Sequence, residues 1–248
     1  MDLRRFRADL HIHSCLSPCG ELSMYPRQIV ERARAAGLDI IAVSDHNAGD
    51  NAAATARAAA GTPLAVLAGM ELTSEEEVHL LSLFGSADDL RPVQEAVAAK
   101  LPPAPAKYKF REDQVVVSAT DEVTGFHSGF LMGATAMTIY ELVELVHRYG
   151  GLAVAAHIDR EAFSVISQLG FIPAGLGFDA LEVSARLTIA EARATLGAGE
   201  RFPLVRFSDA HRPEEIGRAA TDFFLAEPSL AEIGKALAGA DGRRVLAS

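Results

Sequence analysis

Seven short apolar runs are distributed along the chain, and most of them end in a histidine or a carboxylate. They occupy residues 9–13, 40–43, 64–70, 78–81, 152–156, 180–183 and 205–207. Runs of this length, bounded by turn residues, are typical of buried strands. A histidine or carboxylate where such a strand emerges suits a core poorly, but it is well placed to line a site at one end of a barrel. The pattern therefore predicts an α/β barrel with polar residues gathered at one end.

Helical patterns separate most of these runs, and the helix predicted after residue 26 has proline near its start and glycine past its end. Barrels of alternating strands and helices commonly have about 250 residues in one domain. We therefore expect a single domain over residues 1–248. Prolines interrupt the chain near residue 102, and apolar stretches at 114–118 and 123–127 predict a small hairpin excursion within 101–135.

The formal net charge of the chain is −10. An acidic surface repels the phosphates of nucleic acids, so we expect no duplex nucleic acid as a partner. A small phosphorylated substrate remains compatible with this charge, because bound metal ions would reverse the local sign. The sequence leaves the oligomeric state open.

The sequence contains no apolar stretch long enough to span a bilayer, and no signal-peptide pattern follows the basic N-terminus. We therefore expect no membrane association. Cys15 and Cys19 lie close together, and without a secretory signal the expected state is reduced and cytoplasmic.

The link between the third and fourth runs is unusually short. A parallel crossover needs roughly a dozen residues or more, whereas residues 72–77 alone separate Glu71 from the next run. We therefore predict that these two strands are antiparallel, which places His79 at the same end of the sheet as Glu71.

Histidines and carboxylates recur with the spacing of metal ligands. His11 and His13 are two residues apart on a predicted strand, so both point the same way, and Asp9 is expected to share their face. His46 follows the second run directly after Asp45. Asp209 and His211 repeat the period-two spacing after the last run. Such His-x-His pairs commonly hold a transition metal.

Taken singly, several of these residues are compatible with a purely structural role. Glu71 fits a salt bridge at the barrel mouth, His79 a satisfied core histidine, and His157 a buried histidine bonded to a carbonyl. Taken together they favour a metal site, because six predicted strands each deliver a ligand-type side chain to one end.

Cys19 follows His13 by six residues in a predicted loop. It is a candidate soft metal ligand above the barrel. The alternatives are a free thiol or a redox partner of Cys15.

These residues together resemble the polymerase and histidinol phosphatase (PHP) superfamily. The ordered match runs from Asp9 to His211, and it consists of His-x-His, Asp-His, Glu, an isolated His, another His and Asp-x-His. The resemblance implies a distorted seven-stranded TIM-like barrel that binds two or three divalent metal ions (Zn, Mn or Fe) and hydrolyses phosphoesters.

The resemblance also implies a ligand set in which Glu71 bridges two metals. The implied ligands are His11, His13, His46, Glu71, His79, His157, Asp209 and His211. The position of Cys19 is often His or Asp in such proteins. Cysteine is a departure that puts the identity or occupancy of a third metal in doubt.

The expected reaction is attack on a small phosphomonoester or nucleotide by a metal-activated hydroxide. Asp9 and Asp45 are candidates for orienting the ligating imidazoles. Arg160, Arg186 and Arg212 each follow a predicted strand end and are candidates for binding phosphate, with surface ion pairs as the alternative. Arg160 ranks first, because it lies three residues after His157; with Glu71 and Asp45 it completes the candidate catalytic set.

Two other functions are compatible with the same residues. One is an amidohydrolase-like enzyme that hydrolyses a carbon–nitrogen bond. Such enzymes commonly bridge their metals with lysine. In this sequence no predicted strand end carries a lysine, and Glu71 stands at one instead. The other is a non-catalytic metal-binding regulatory module.

Overall fold

The computed structural model describes residues 2–105, 114–173, 175–196 and 201–246. These residues form one nine-stranded sheet, a separate two-stranded sheet and seven α-helices. The strands are β1 (Arg4–Ile12), β2 (Ile40–His46), β3 (Ala65–Thr73), β4 (His79–Phe84), β5 (Val115–Val117), β6 (Val123–Phe126), β7 (Leu152–Ala155), β8 (Ala180–Val183), β9 (Leu204–Arg206), β10 (Thr221–Leu225) and β11 (Arg244–Val245). The helices are α1 (Pro26–Ala35), α2 (Ala52–Ala58), α3 (Ala87–Ala98), α4 (Ile139–Arg148), α5 (Val165–Leu169), α6 (Ile189–Leu196) and α7 (Leu230–Leu237).

The large sheet has the strand order β11-β10-β1-β2-β3-β4-β7-β8-β9. The sheet curls into a nearly closed barrel. The segment after β9 returns to β1 and forms a parallel bridge with it between Ile12 and Ala210. The backbone amide of His13 donates to the Ala210 carbonyl at 2.9 Å, which fastens this seam. The chain is therefore an α/β protein with a nearly closed barrel.

The sheet has nine strands, whereas the sequence predicted seven. Each of the seven apolar runs overlaps one of its strands, and the extra pair is β10 and β11 on the outer edge of β1. β10 alternates buried and half-buried residues, so its sequence lacks the continuous apolar run of a strand that is covered on both faces.

The short link after Glu71 produces the predicted geometry. β3 and β4 are antiparallel, and Thr73 pairs with His79. The start of β4 therefore lies beside the end of β3, at the same edge as the carboxyl ends of β1 and β2. The prediction that His79 joins Glu71 at one end of the sheet is confirmed.

Helix α1 shows how the local sequence fixes an element against the sheet. Pro26 occupies the first turn, and Gly37 follows the helix with a φ of +68°, a conformation that glycine adopts without a Cβ penalty. The buried face of α1 includes Ile29 and Val30, which pack against Val43 of β2. Full burial of each such side chain contributes about 1.5–3 kcal/mol.

The other face of the sheet fills the barrel. Leu81, Leu83, Val154, Val205 and Phe207 belong to one buried apolar cluster. Glu71 pairs with Leu81 of this cluster and so occupies the same side of its strand, nearer the strand end. The polar site therefore rests on a packed apolar floor.

The predicted hairpin is present as β5 and β6, which pair antiparallel. Asn51 fastens it to the barrel, donating to the Val115 carbonyl at 3.0 Å and accepting from the Val117 amide at 3.0 Å. Part of the excursion, residues 106–113, lies outside the described residues.

Among the described residues, no helix has both the length and the apolar character needed to cross a membrane.

Candidate metal centre

The strand ends place eight ligand-type side chains around one point. His11 lies in β1, and His13 directly follows that strand. The next three residues lie in β2, β3 and β4, the fourth follows β7, and the last two lie in the segment after β9. The sequence-predicted set that the structure brings together is His11, His13, His46, Glu71, His79, His157, Asp209 and His211. All but His211 are buried.

Glu71 is at the centre of this group. Its Oε1 lies 2.7 Å from Nδ1 of His79 and 3.0 Å from Nε2 of His157. Its Oε2 lies 3.1 Å from Nδ1 of His46 and 3.4 Å from Nε2 of His13. One carboxylate therefore reaches ring nitrogens from four strand ends, as a bridging ligand must.

The electrostatics of Glu71 follow from its neighbours. Burial by itself raises the pKa of this carboxyl, but His79, His11 and His46 outweigh burial and hold its pKa well below the usual range. Glu71 is therefore an anion, which is the form that binds a cation.

His11 and His13 lie next to each other and beside Asp209, in a second part of the cluster. Their Nε2 atoms are 3.3 Å apart, and they lie 3.4 and 3.2 Å from Oδ1 of Asp209. Burial and the nearby His211 lower the pKa of His13 to about 4, so its imidazole is neutral and offers a lone pair. Burial by itself lowers the pKa of His11, but Glu182, Asp209 and Glu71 outweigh it and raise that pKa well above the usual value.

Asp9 does not share the face of His11 and His13, contrary to the sequence prediction. The register of β1 against β2 shifts between Asp9 and Ile12, so that one extra residue lies in β1. Asp9 therefore points to the other side, where it accepts the backbone amides of Ser208 at 2.9 Å and Gly217 at 2.9 Å. It ties two later segments to β1, and within the described part of the chain no hydrogen bond joins it to an imidazole.

Asp45 acts on an imidazole through a serine. Its Oδ1 accepts the Ser17 hydroxyl at 2.6 Å and the Ser14 amide at 2.7 Å, and its Oδ2 accepts the Ser14 hydroxyl at 2.6 Å. The Ser17 hydroxyl in turn lies 3.0 Å from Nδ1 of His13. Asp45 thus reaches His13 through Ser17, and no hydrogen bond joins it directly to an imidazole among the described residues.

Glu182 contacts the cluster but was not among the site residues predicted from the sequence. It is fully buried in β8, and both carboxylate oxygens lie 3.0 Å from Nδ1 of His11. Its Oε2 also accepts the backbone amide of His157 at 3.1 Å. A carboxylate that holds the outer nitrogen of an imidazole fixes the tautomer whose inner nitrogen can bind metal. The available signal was the single charged residue within the apolar run at 180–183.

Cys19 joins the outer part of the cluster. Its Sγ and one ring nitrogen each from His13, His46 and His211 all lie within 4.8 Å of one another. Burial of the thiol, followed by the carboxylates of Glu71, Asp45 and Asp209, raises its pKa. Both cysteines are free thiols in the structure.

The three candidate phosphate-binding arginines differ in position. Arg160 lines the cavity above the cluster, and its guanidinium donates to Oδ2 of Asp209. Arg212 is exposed and lies 3.2 Å from Glu21. Arg186 is exposed, and neither it nor Arg212 lines this cavity. The structure therefore places one of the three at the site.

The cluster opens into a cavity of about 180 Å³. Its walls include Thr73, Arg160 and the exposed side chains of Met132 and Phe163. Met132 and Phe163 were not predicted from the sequence, because one apolar residue in a loop carries no pattern. The volume admits a phosphoryl group and part of the group attached to it, and larger ligands must extend outward.

The donor set fits divalent metal ions. His46 Nδ1 is buried and has no hydrogen-bond partner among the described residues, since its 3.1 Å contact with Glu71 lacks hydrogen-bond geometry. Three groups of donors are each close enough to share an ion, and Glu71 belongs to two of them. Converging imidazole and carboxylate donors around an unpaired nitrogen suit a divalent metal ion.

Two family models match the sequence, and each matched segment contributes residues to this site. The model described as "PHP domain" matches residues 9–123, and the model described as "PHP-associated" matches residues 207–240. The first contains five of the eight clustered residues and the second contains Asp209 and His211.

The matched residues belong to the PHP superfamily. Its members use divalent metals, which agrees with the donor set of this PHP chain. No curated protein matches the sequence.

Solved structures share the fold of this PHP chain at low sequence identity. The lesion-specific endonuclease PfuEndoQ from Pyrococcus furiosus has a TM-score of 0.76 and 20% identity, over 98% of this chain and 58% of that chain. Endonuclease Q in complex with a 27-mer duplex carrying an abasic lesion has a TM-score of 0.71 and 19% identity, with the same coverage. A protein from Bifidobacterium adolescentis, proposed to be a metal-dependent phosphoesterase, has a TM-score of 0.55 and 19% identity, over 82% of this chain and 87% of that chain. The PHP chain thus spans 58% of the length of the two endonuclease chains.

From the sequence we excluded duplex nucleic acid as a partner, and this expectation is wrong. Endonuclease Q has this fold and holds a 27-mer duplex with the abasic lesion at its active site. The net charge of −10 is a sum over the whole chain, and it does not describe the local potential where metal ions gather.

Proposed function

We propose that the chain is a metal-dependent hydrolase of phosphoesters that acts on a phosphomonoester or nucleotide. One observation carries the proposal. Ring nitrogens from four strand ends converge on Glu71 and Asp209 at the base of a cavity whose wall carries the Arg160 guanidinium. This arrangement combines sites for cations with a fixed positive group, which is what a phosphoryl group requires.

The residues divide into three metal-binding groups. His11 and His13 with Glu71 would hold one ion, with Asp209 alongside, and Glu71 with His79 and His46 would hold another. His157 reaches the same oxygen of Glu71 as His79 does. A third group consists of His13, Cys19, His46 and His211, and it shares His13 and His46 with the other two.

Divalent ions bound there would lower the pKa of a water molecule and balance the negative charge of the phosphoryl oxygens. Glu71 would keep two ions adjacent. Glu182 and Ser17 hold the outer nitrogens of His11 and His13, so that their inner nitrogens stay directed at the centre.

Arg160 would bind the phosphoryl group. Its side chain is about one-third exposed and faces the cavity, and its buried Nε has no hydrogen-bond partner among the described residues. A guanidinium can donate two parallel hydrogen bonds to phosphate oxygens.

The test is a turnover assay on one metal-reconstituted preparation. The substrates are an aryl phosphate, a set of nucleotides, a duplex with an abasic site, and amides as carbon–nitrogen substrates. Phosphate release or strand cleavage that depends on added metal supports the proposal. Metal binding without turnover would favour the regulatory module, and amide cleavage alone would favour the amidohydrolase-like alternative.

The decisive variant is Glu71→Gln, which removes the central charge while keeping the size of the side chain. We expect turnover to fall below detection and the metal content to fall with it. Glu227→Gln is the matched control, because Glu227 is exposed and does not line the site cavity. Activity retained by Glu71→Gln would contradict the bridging role.

A further inference from the structure

Phe163 has an unusual backbone conformation at the mouth of the cavity. Its φ is +61°, in the left-handed region that bulky side chains rarely adopt. Its side chain is nevertheless 41% exposed, so burial of the ring does not explain the strain. Residues held in such conformations cluster at functional sites, where the surrounding structure keeps a side chain in a required position.

One face of the Phe163 ring is already used. It stacks on the imidazole of His79, with ring centroids 4.6 Å apart and an interplanar angle of 18°. Phe163 also lines the cavity above Glu71, together with Met132, which is exposed to the same extent. The ring is therefore a flat apolar surface beside the place where the phosphoryl group would lie.

The loop that carries Phe163 is fastened at both ends. The His79 amide donates to the Phe163 carbonyl at 2.8 Å, and the Arg160 amide donates to the His157 carbonyl at 2.9 Å. The Ser164 hydroxyl donates to the Arg160 carbonyl at 2.7 Å. The guanidinium at the cavity wall and the ring at its mouth thus belong to one short, hydrogen-bonded segment with a fixed spacing.

We propose that Phe163 is a stacking platform for the planar base of a nucleotide whose phosphoryl group lies at Arg160 and the metal cluster. This inference rests on the proposed function and names the substrate class of the same site. Every nucleobase offers a π-face, so a ring of this kind recognises the base without selecting among bases. An aliphatic or sugar phosphate would leave the ring in contact with water.

The kinetic test compares guanosine 5′-monophosphate with ribose 5-phosphate, which share the same primary phosphoester and differ in the base. The readout is the ratio of their kcat/KM values in the metal-loaded protein. Phe163→Leu should lower this ratio roughly tenfold, chiefly through KM for the nucleotide, whereas Phe163→Tyr should retain it. If Phe163 only covers His79, the leucine variant will lower both kcat/KM values alike, and the proposal is then wrong.

A binding test separates this inference from the proposed function. The sequence contains no tryptophan, so Phe163→Trp introduces a single fluorescent indole at the platform. Guanosine 5′-monophosphate should quench its emission in the metal-loaded protein, and ribose 5-phosphate should not. Phe171→Trp is the control for light absorption by the nucleotide, because Phe171 is 64% exposed and does not line this cavity.

The outcomes are distinct. Selective quenching at position 163 without phosphate release supports stacking and contradicts the proposed function. Phosphate release from both compounds at equal kcat/KM, with no selective quenching, supports the function and overturns the stacking. Equal quenching at positions 163 and 171 also overturns it.

Discussion

The Nδ1 of His11 lies 3.0 Å from both carboxylate oxygens of Glu182, and both residues are fully buried. This pair joins the first strand of the chain to β8, a strand that supplies none of the clustered ligand-type residues. β8 thus contributes to the site by fixing the direction in which His11 presents its other nitrogen.

Glu182→Gln should weaken metal binding about 10- to 100-fold. The amide keeps the size of the carboxylate and can accept one hydrogen bond, but it removes the charge that favours the metal-binding tautomer of His11. The measurement is a metal dissociation constant from competition with a chromophoric chelator. Glu227→Gln should bind metal as the wild type does. Unchanged affinity in the Glu182 variant would show that the pair is structural.

Asp45→Ala should destabilise the fold by about 2–3 kcal/mol, because it leaves the buried Ser14 amide and two serine hydroxyls without their acceptor. Urea denaturation of the metal-free protein measures this. Asp88→Ala is the control, since the Asp88 side chain is 83% exposed and pairs with Arg91 at the surface, where the expected change is under about 1 kcal/mol. Equal effects in the two variants would argue against the buried serine network.

Much of the fold could be predicted because its signals are local. A buried strand requires an apolar run, and the six residues after Glu71 are too few for a parallel crossover. The bulge after Asp9 could not be predicted, because one extra residue in a strand changes no property of the sequence that a pattern detects. Asp9 was therefore placed on the wrong face.

The candidate site was predictable to the extent that its residues stand at strand ends. Glu182 lies inside a strand, and its role depends on the distance to a histidine 171 positions away in the sequence. Arg186 and Arg212 also follow strand ends, yet they do not line the cavity, because the direction of a loop side chain depends on packing. A charged residue after a strand end therefore indicates which end of the barrel it occupies, but not whether its side chain reaches the cavity.

Cys19 should bind metal through its thiolate. In cobalt-substituted protein, we expect a thiolate-to-cobalt absorption band in the near ultraviolet, because Sγ lies with three imidazoles in one donor group. Cys19→Ala should abolish the band. Cys15→Ala should retain it, since the buried Cys15 sulfur contacts the Val115 carbonyl and Asn51 instead. A band that survives the loss of Cys19 would remove this residue from the ligand set.

Arg160→Ala should lower kcat/KM for a phosphoester about 10- to 100-fold, as expected for the loss of a charged hydrogen-bond donor to phosphate. Arg160→Lys should recover part of this, because an ammonium supplies the charge without the planar fork. Arg212→Ala is the matched control, since Arg212 lies at the surface beside Glu21. A comparable loss in the Arg212 variant would mean that the substrate extends over both arginines, and an unchanged Arg160 variant would exclude Arg160 from phosphate binding.

Glu232 should make the stability of the fold dependent on pH, far from the metal cluster. Its carboxylate accepts hydrogen bonds from the Arg243 guanidinium, the Ala226 amide and Lys235, and these lower its pKa to about 2, with the Arg243 bonds foremost. A carboxyl whose pKa is lower in the folded state contributes stability above its unfolded pKa of 4.5, and loses it as the pH falls towards 2. The stability difference between wild type and Glu232→Gln, measured by urea denaturation, should be full at pH 7 and shrink steadily below about pH 4.5. Acid effects on the histidine cluster are common to both proteins and cancel in this difference. A difference that stays constant across this range would mean that Glu232 contributes through packing rather than charge.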